Sequence, residues 1–257
     1  MDRFLFVVGA HGFVGSHVKE IDSEITTILA KQGDWAAPIS LPKKSTILFL
    51  RAISSPYYVT KNPIESDKFN VSNTSKYIGQ CIEVGHRVVF SSSDTVYGER
   101  LDPPAKESDA VNPIGLYSQQ KNRIEKQFSQ NPHFLSVRFS VIVGENSRLR
   151  RLLMANQVTE IPDPVLRNPV GITHVISLIK KLTLISDWEK DFDRNIVNFG
   201  GDSLISMWEL ANIESKRIGS KPPLKSTRDP IDLKSRPGTI HLDSSFATTL
   251  VKEKLRF

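Results

Sequence analysis

A single cysteine, Cys81, stands in 257 residues. It excludes an intramolecular disulfide framework and suits a reducing compartment. A small buried side chain on a helix is its plain reading. Long apolar runs are missing as well, since none approaches the roughly 18–20 residues of a membrane span. The start, Met1-Asp2-Arg3-Phe4-Leu5, goes straight into a strand-like run without a signal-peptide layout. These absences predict a cytoplasmic protein with no membrane span. Aromatic residues are 8% of the chain, and the basic residues are not interleaved with them, which argues against nucleic acid as a partner. There are no internal repeats or low-complexity blocks, and no metal is expected.

Hydrophobic residues at 39% and charged residues at 24% are ordinary for a globular protein. The length predicts one large domain, or one domain with a small appendage. The net charge is +6, and from Arg148 onward 18 Lys/Arg face 13 Asp/Glu, so five of the six charges lie there. The span from Lys216 to Arg236 holds seven Lys/Arg against Asp229 and Asp232. It could attract an anionic small molecule; a solvated surface is the plainer reading.

Phe4-Leu5-Phe6-Val7-Val8 is the continuous apolar run of a strand buried on both faces. It runs into Gly9-Ala10-His11-Gly12-Phe13-Val14-Gly15, with a helix expected from about Gly12 to Ile21. Strand, glycine turn and helix form the opening of a dinucleotide-binding βαβ unit. Gly9 allows the tight turn, Gly12 the approach of a pyrophosphate and Gly15 the packing of helix on strand. The helix N-terminus would offer its N–H groups to the phosphates. His11, Phe13 and Val14 belong to this turn, His11 as a loop residue.

A second strand is expected at Ile25–Leu29. NAD preference would place an acid at its end for the ribose hydroxyl; Ala30 and Lys31 stand there instead. A cation suits the 2′-phosphate of NADP, a surface lysine being the alternative. Residues 32–45 are turn-rich and leave little room for another helix-strand pair. Strands follow at Thr46–Leu50 and Arg87–Phe90, with a helix over Pro63–Val84 between them. The second of these strands ends in Ser91-Ser92-Ser93-Asp94-Thr95-Val96-Tyr97-Gly98, and hydroxyls at the C-terminal end of a parallel strand sit where open α/β sheets bind ligands. A Pro-containing loop, Leu101–Pro113, leads to a helix running to about Ser129, and a strand spans Leu135–Val143. Further on, helices are expected at Leu149–Ala155, His174–Ile185, Met207–Ile218 and Ser244–Lys252. Short strands lie at Ile196–Phe199 and Ile240–Leu242, with a Pro- and Lys-rich loop over Gly219–Gly238. This alternation predicts a doubly wound parallel sheet. Residues 1–147 would form the dinucleotide-binding domain and residues 148–257 a mainly substrate-binding region with elements returning to it.

Tyr117 and Lys121 are four residues apart, one helical turn on one face. An ammonium near a phenol, beside a cationic cofactor ring, favours the phenolate and makes the Tyr a usable proton donor and acceptor. Taken alone, the pair reads first as a partly buried aromatic on an exposed helix face.

In order and spacing these motifs resemble the extended short-chain dehydrogenase/reductase family, also called the NAD-dependent epimerase/dehydratase family. The matches are Gly9-x-x-Gly12-x-x-Gly15, Asn70-Val71-Ser72-Asn73-Thr74, Ser91 to Gly98, Tyr117-x-x-x-Lys121, Arg138 to Gly144, and Asn198-Phe199-Gly200. The resemblance implies Tyr117 as catalytic acid/base. It implies Lys121 lowering the Tyr117 pKa and holding the nicotinamide ribose, and Ser93 bonding the reacting oxygen. Arg167 and Arg236 match the two places where sugar-nucleotide members bind diphosphate. The implied fold is a Rossmann-type α/β domain with a small, mostly C-terminal substrate-binding part, and family members often dimerise through a four-helix contact.

The departures shape the functional expectation. The region before Thr46 is short, so the adenine pocket would be incomplete. The family's His-Leu-Ala-Ala reads Phe49-Leu50-Arg51-Ala52, which points the Arg51 cation at the cofactor crevice, toward a phosphate or a nearby acid. Val141 replaces a common Asn. Asp94-Thr95 replaces the Asp-Glu of dehydratases, leaving Asp94 and Thr95 as polar residues on the substrate side. The resulting expectation is an NAD(P)-dependent reductase of a nucleotide-linked 4-keto-6-deoxy sugar, with NADP(H) favoured over NAD(H). A nucleotide-sugar 4-epimerase is the alternative, and a non-catalytic NADP-sensing or scaffold protein the alternative of another class.

Overall fold

The computed structural model describes residues 3–18, 21–35, 37–185, 188, 195–227 and 236–257. Its centre is a six-stranded sheet made by β1 (Arg3–Val8), β2 (Ile25–Leu29), β3 (Thr46–Phe49), β4 (Arg87–Ser93), β6 (Phe134–Phe139) and β11 (Ile196–Phe199). The order across the sheet is β11-β6-β4-β3-β1-β2, and every neighbouring pair is parallel. The chain leaves β1 for β2 on one side and returns to β3 on the other. This reversal creates the crevice at the C-terminal end of β1, where open α/β sheets bind ligands.

The apolar runs of these strands are explained by burial on both faces. Leu5, Val7, Leu48, Val89 and Val137 pack into one core with α7 (Ile172–Leu184) and α9 (Ser245–Val251). Val8, Ile47, Phe49, Val88 and Phe90 point the other way, against Tyr77, Ile78 and Cys81 of α4 (Thr74–Glu83) and Ile124 of α5 (Leu116–Phe128). Cys81 is fully buried there, and burial pushes its thiol up to about 12, as an inert packing residue.

Several elements differ from expectation. The first helix, α1, is one turn, Phe13–Ser16. The Phe13 carbonyl, which an α-helix would offer to the His17 N–H, is taken by the Ser16 hydroxyl at 2.9 Å and the His17 ring at 2.8 Å. The backbone then tightens into i→i+3 bonds at His17 and Val18. The helix expected over Pro63–Val84 is segmented into α3 (Pro63–Asp67), a π-helical stretch (Lys68–Asn73) and α4. It is preceded by α2 (Pro56–Lys61), which starts where the Ser55 hydroxyl accepts from Tyr58 N and Pro56 opens the first turn.

The loop after Tyr97 contains a strand, β5 (Arg100–Ala105), despite two prolines. Among the described residues it pairs only with β14 (Ile240–Leu242), in parallel, an edge position that tolerates missing N–H groups. The strand expected over Leu135–Val143 breaks after Phe139 and resumes as β7 (Ile142–Val143), which pairs with β10 (Val170–Gly171). Beyond it lie α6 (Arg148–Met154), β8 (Glu160–Pro162), β9 (Leu166–Arg167), β12 (Ile205–Ser206), α8 (Met207–Ile218) and β13 (Leu224–Ser226). The pairs β8–β13 and β9–β12 form two small sheets beside the main one. The middle of the basic stretch, 228–235, lies outside the described residues. Among the described residues no helix is long and apolar enough to cross a membrane.

Candidate active site

Tyr117 and Lys121 lie in the first turns of α5, which begins after Gly115. The helix is fixed from several sides. A buried ion pair joins Glu125 to Arg138 of β6 at 2.7 Å, with Ser136 donating to the same carboxylate at 2.9 Å. Gln120 donates to Ser66 at 3.0 Å and accepts from Asn70 at 2.8 Å. Asn70, in the π-helical stretch, also brackets both backbone groups of Ile53. The family-like Asn motif therefore fastens α5 to the loop after β3. Lys121 is 5% exposed and donates to the Ser91 carbonyl at 2.6 Å. Its Nζ lies 4.6 Å from the centroid of the Phe90 ring and 5.8 Å from that of Tyr117.

Ser93 ends β4 and caps a 3-10 turn over Asp94–Tyr97. Its hydroxyl accepts from the Thr95 hydroxyl at 3.0 Å and donates to Asp94 Oδ1 at 3.1 Å. Asp94 is buried, accepts from the Ser140 hydroxyl at 2.9 Å and lies 3.6 Å from Arg167 Nε. Burial still holds the Asp94 carboxyl above the usual range, against the pull of Arg167, Ser140 and Ser93.

The protein's own charges do not lower the Tyr117 pKa, contrary to expectation. The ring keeps some exposed surface but is densely surrounded, and that desolvation, followed by the Asp94 charge, pushes the phenol up. Lys121 carries the opposite consequence. Burial lowers its ammonium to about 7, only partly countered by Glu125. The pair thus favours a protonated phenol beside an ammonium that titrates near neutrality.

A crevice of about 330 Å³ lies at the glycine turn, walled by Gly9, Ala10, His11, Gly12, Ala30, Lys31, Gln32, Gly33, Trp35, Arg51 and Phe69. The turn that borders it, with the helix start behind, admits only glycine at two places. Gly9 has φ +95°, and a Cβ on Gly15 would stand 2.4 Å from the Gly9 carbonyl. These contacts fit a backbone cradle for a dinucleotide pyrophosphate, though with a one-turn helix the turn's own N–H groups matter more than a helix dipole. Phe13 and Val14 pack against the core instead of walling the crevice. Ala52, next to Arg51, is half-buried.

Lys31 is exposed on the crevice rim. Arg51 donates to the carbonyls of Asp34 at 2.5 Å and Lys31 at 3.5 Å, and its guanidinium lies 4.6 Å over the Trp35 ring. Trp35 packs edge-on against Phe69 at 5.2 Å. It stands in the short segment that replaces the usual helix-strand pair, and the sequence reading missed it. The available signal was a lone tryptophan in a polar, turn-rich stretch just past β2.

The two arginines matched to diphosphate sites differ in setting. Arg167 is 5% exposed and donates to the carbonyls of Leu166 at 2.7 Å, Gly238 at 2.7 Å and Pro237 at 2.8 Å, with Asp94 beside it. Arg236 is half-buried, two residues before Gly238. Thr95 is half-buried next to Ser93.

Comparison with known proteins agrees with this fold. The family model described as RmlD substrate binding domain matches residues 3–250. UDP-glucuronic acid decarboxylase 6 of Arabidopsis thaliana is 28% identical over 140 residues, covering 44% of this chain and 41% of that protein. The chain thus matches about two fifths of that relative's length. Among solved structures, MoeE5 in complex with UDP-glucose and NAD superposes with a TM-score of 0.77 at 20% identity, over 99% of this chain and 94% of that one. RMD from Pseudomonas aeruginosa complexed with NADPH gives 0.75 at 15% identity, over 100% and 93%. At such identities the superpositions show the fold.

Proposed function

The chain belongs to the RmlD substrate binding domain family, within the extended short-chain dehydrogenase/reductases, and from that premise we propose that it reduces the keto group of a nucleotide-linked sugar, a 4-keto-6-deoxy hexose being the best fit. The carrying observation is the convergence of Ser93 and the Tyr117/Lys121 helix at the C-terminal end of β4, on the same edge of the sheet as a crevice bearing Lys31 and Arg51.

A bound nicotinamide supplies the hydride. Ser93, still accepting from Thr95, turns its one hydroxyl proton from Asp94 to the keto oxygen and stabilises the developing charge there. Tyr117 delivers the proton, and its raised pKa keeps the phenol protonated for that role. Lys121, fixed by Ser91, holds the ribose hydroxyls and adds positive charge near the phenolate left behind. Lys31 and Arg51 at the adenosine end favour NADPH through the 2′-phosphate. Arg236 meets the substrate diphosphate. The RMD complex with NADPH supports the cofactor reading, and the UDP-glucose complex of MoeE5 supports the substrate class.

A 4-epimerase would use the same residues with a retained NAD, the cofactor of the MoeE5 complex. The acid expected of an NAD site is missing after β2, where Ala30 and Lys31 stand. Incubating the protein with NADPH and keto-sugar nucleotides decides between them: net NADPH consumption supports the reductase, and cofactor-neutral interconversion of 4-epimers overturns it.

A further inference from the structure

Arg167 occupies a family diphosphate position, yet its bonds run into the protein. Three of its contacts are backbone carbonyls, two of them on the segment that carries Arg236. The same segment is gripped from its other side. The Glu99 carboxylate accepts from Gly238 N and, at 2.8 Å, from Thr239 N, while Arg100 N donates to the Thr239 carbonyl at 2.8 Å. A guanidinium on the carbonyls and a carboxylate on the N–H groups clamp 237–239 between them.

Both ends of the clamp lead back to the catalytic strand. Asp94 is one residue past Ser93, shares a hydrogen bond with it, and forms the ion pair with Arg167. Glu99 follows the same 3-10 turn. A buried charge pair of this kind is weak as a stabilising device, because an apolar pair of similar volume often serves as well or better. Its arrangement instead fixes one segment in register with another.

We propose that Arg167, held by Asp94 and assisted by Glu99, is a positioning residue that locks the Arg236-Pro237-Gly238 segment onto the Ser93 strand end, so that the anion-binding group of the substrate arm stands at a fixed place relative to the reacting centre. The ligand class is a nucleoside diphosphate, and the inference rests on the reading of Arg236 given above. It makes Arg167 act through the backbone it holds and not by touching phosphate.

The test is a double-mutant cycle read by calorimetric binding of UDP, GDP and dTDP to the full chain, with NADPH affinity measured alongside. Arg236→Gln should weaken the preferred diphosphate at least tenfold. Arg167→Met should weaken it by a similar factor, with NADPH affinity changed less than twofold and with Arg167→Lys restoring part of the loss. Once Arg167→Met is in place, adding Arg236→Gln should cost less than twofold, because a displaced arginine has little left to lose. Losses that simply multiply, or unchanged diphosphate binding in Arg167→Met, overturn the clamp while leaving the reductase reading standing. If Arg167→Met does not fold, Glu99→Gln at the exposed end of the clamp takes its place in the cycle and must show the same non-additivity. A wild type that binds none of the three diphosphates overturns the substrate reading and this inference with it.

Discussion

Lys121 donates to the backbone carbonyl of Ser91 at 2.6 Å, two residues before the hydroxyl of Ser93. This bond ties the helix that carries Tyr117 directly to the strand end that carries Ser93, in addition to the contacts of Gln120 and Glu125. Replacing the phenol tests the division of labour. Tyr117→Phe should lower kcat by about 10²–10⁴, the range of a lost general acid, with NADPH affinity nearly unchanged in a fluorescence titration. Full retained turnover would remove Tyr117 from the chemistry.

The pH profile follows from Lys121. Its ammonium is lowered from 10.5 to about 7 by burial, so it is charged below 7 and neutral above. Reduction that uses the charge should fall as pH rises past about 7 in the kcat/KM profile of the free enzyme. Lys121→Met should flatten that limb at a much lower rate. Stability moves the other way. Between about 7 and 10.5 the unfolded chain holds the proton that the folded one has lost, so this group favours folding more as pH rises. In a melting series across that window the wild type should gain stability relative to Lys121→Met as pH rises.

Glu125 bears on stability. Its carboxylate is buried with Arg138 at 2.7 Å, and removing one charge of such a pair strands the other. Glu125→Gln should cost about 3–5 kcal/mol in urea unfolding. A loss under 1 kcal/mol would mean that α5 is held by its other contacts.

The crevice makes a cofactor prediction. Lys31→Asp should weaken NADPH relative to NADH, by about tenfold if one charge-assisted contact of about 1.5 kcal/mol is lost. Arg51→Ala should act in the same direction, with an added loss from the unsupported Trp35 face. An unchanged preference in both variants would place the 2′-phosphate elsewhere.

His86 predicts acid sensitivity. It is buried, its Nε2 lies 3.0 Å from the Pro38 carbonyl, and its Nδ1 has no hydrogen-bond partner among the described residues. Burial lowers its pKa below the ordinary 6.5. The neutral ring is the folded form, so its contribution is complete above 6.5 and declines as pH falls below it. The drop in melting temperature from pH 7 to pH 5 should be smaller in His86→Gln than in the wild type; an equal drop would exonerate this ring.

Elements whose signal is local were legible in the residues alone. The strand bounds Ile25–Leu29 and Ile196–Phe199 and the helix Met207–Ile218 coincide with the structure, because each is marked by its own short run of residues without help from the rest of the chain. Elements decided by distant partners were not. The strand Arg100–Ala105 exists because Ile240–Leu242 lies beside it, which two prolines concealed. The π-helical stretch at Lys68–Asn73 exists alongside Asn70's bonds to Ile53 and Gln120, fifty residues away. In the site, residue identity pointed to Ser93, Tyr117 and Lys121, but direction was hidden. Nothing in Leu166-Arg167-Asn168 announces a guanidinium turned onto Gly238 and Asp94, and a lone tryptophan in a polar stretch marks Trp35 without telling that it walls the crevice.

The central claim is net reduction by hydride transfer from NADPH. The direct measurement supplies the purified protein with 4-deuterated NADPH and nucleotide-linked 4-keto-6-deoxy hexoses, and follows nicotinamide absorbance together with the product mass. The account predicts one NADPH consumed per sugar reduced, deuterium on the sugar carbon, and loss of both signals in Tyr117→Phe. Tightly held NAD in the purified protein, with interconversion of 4-epimers and no net change in cofactor, would contradict it.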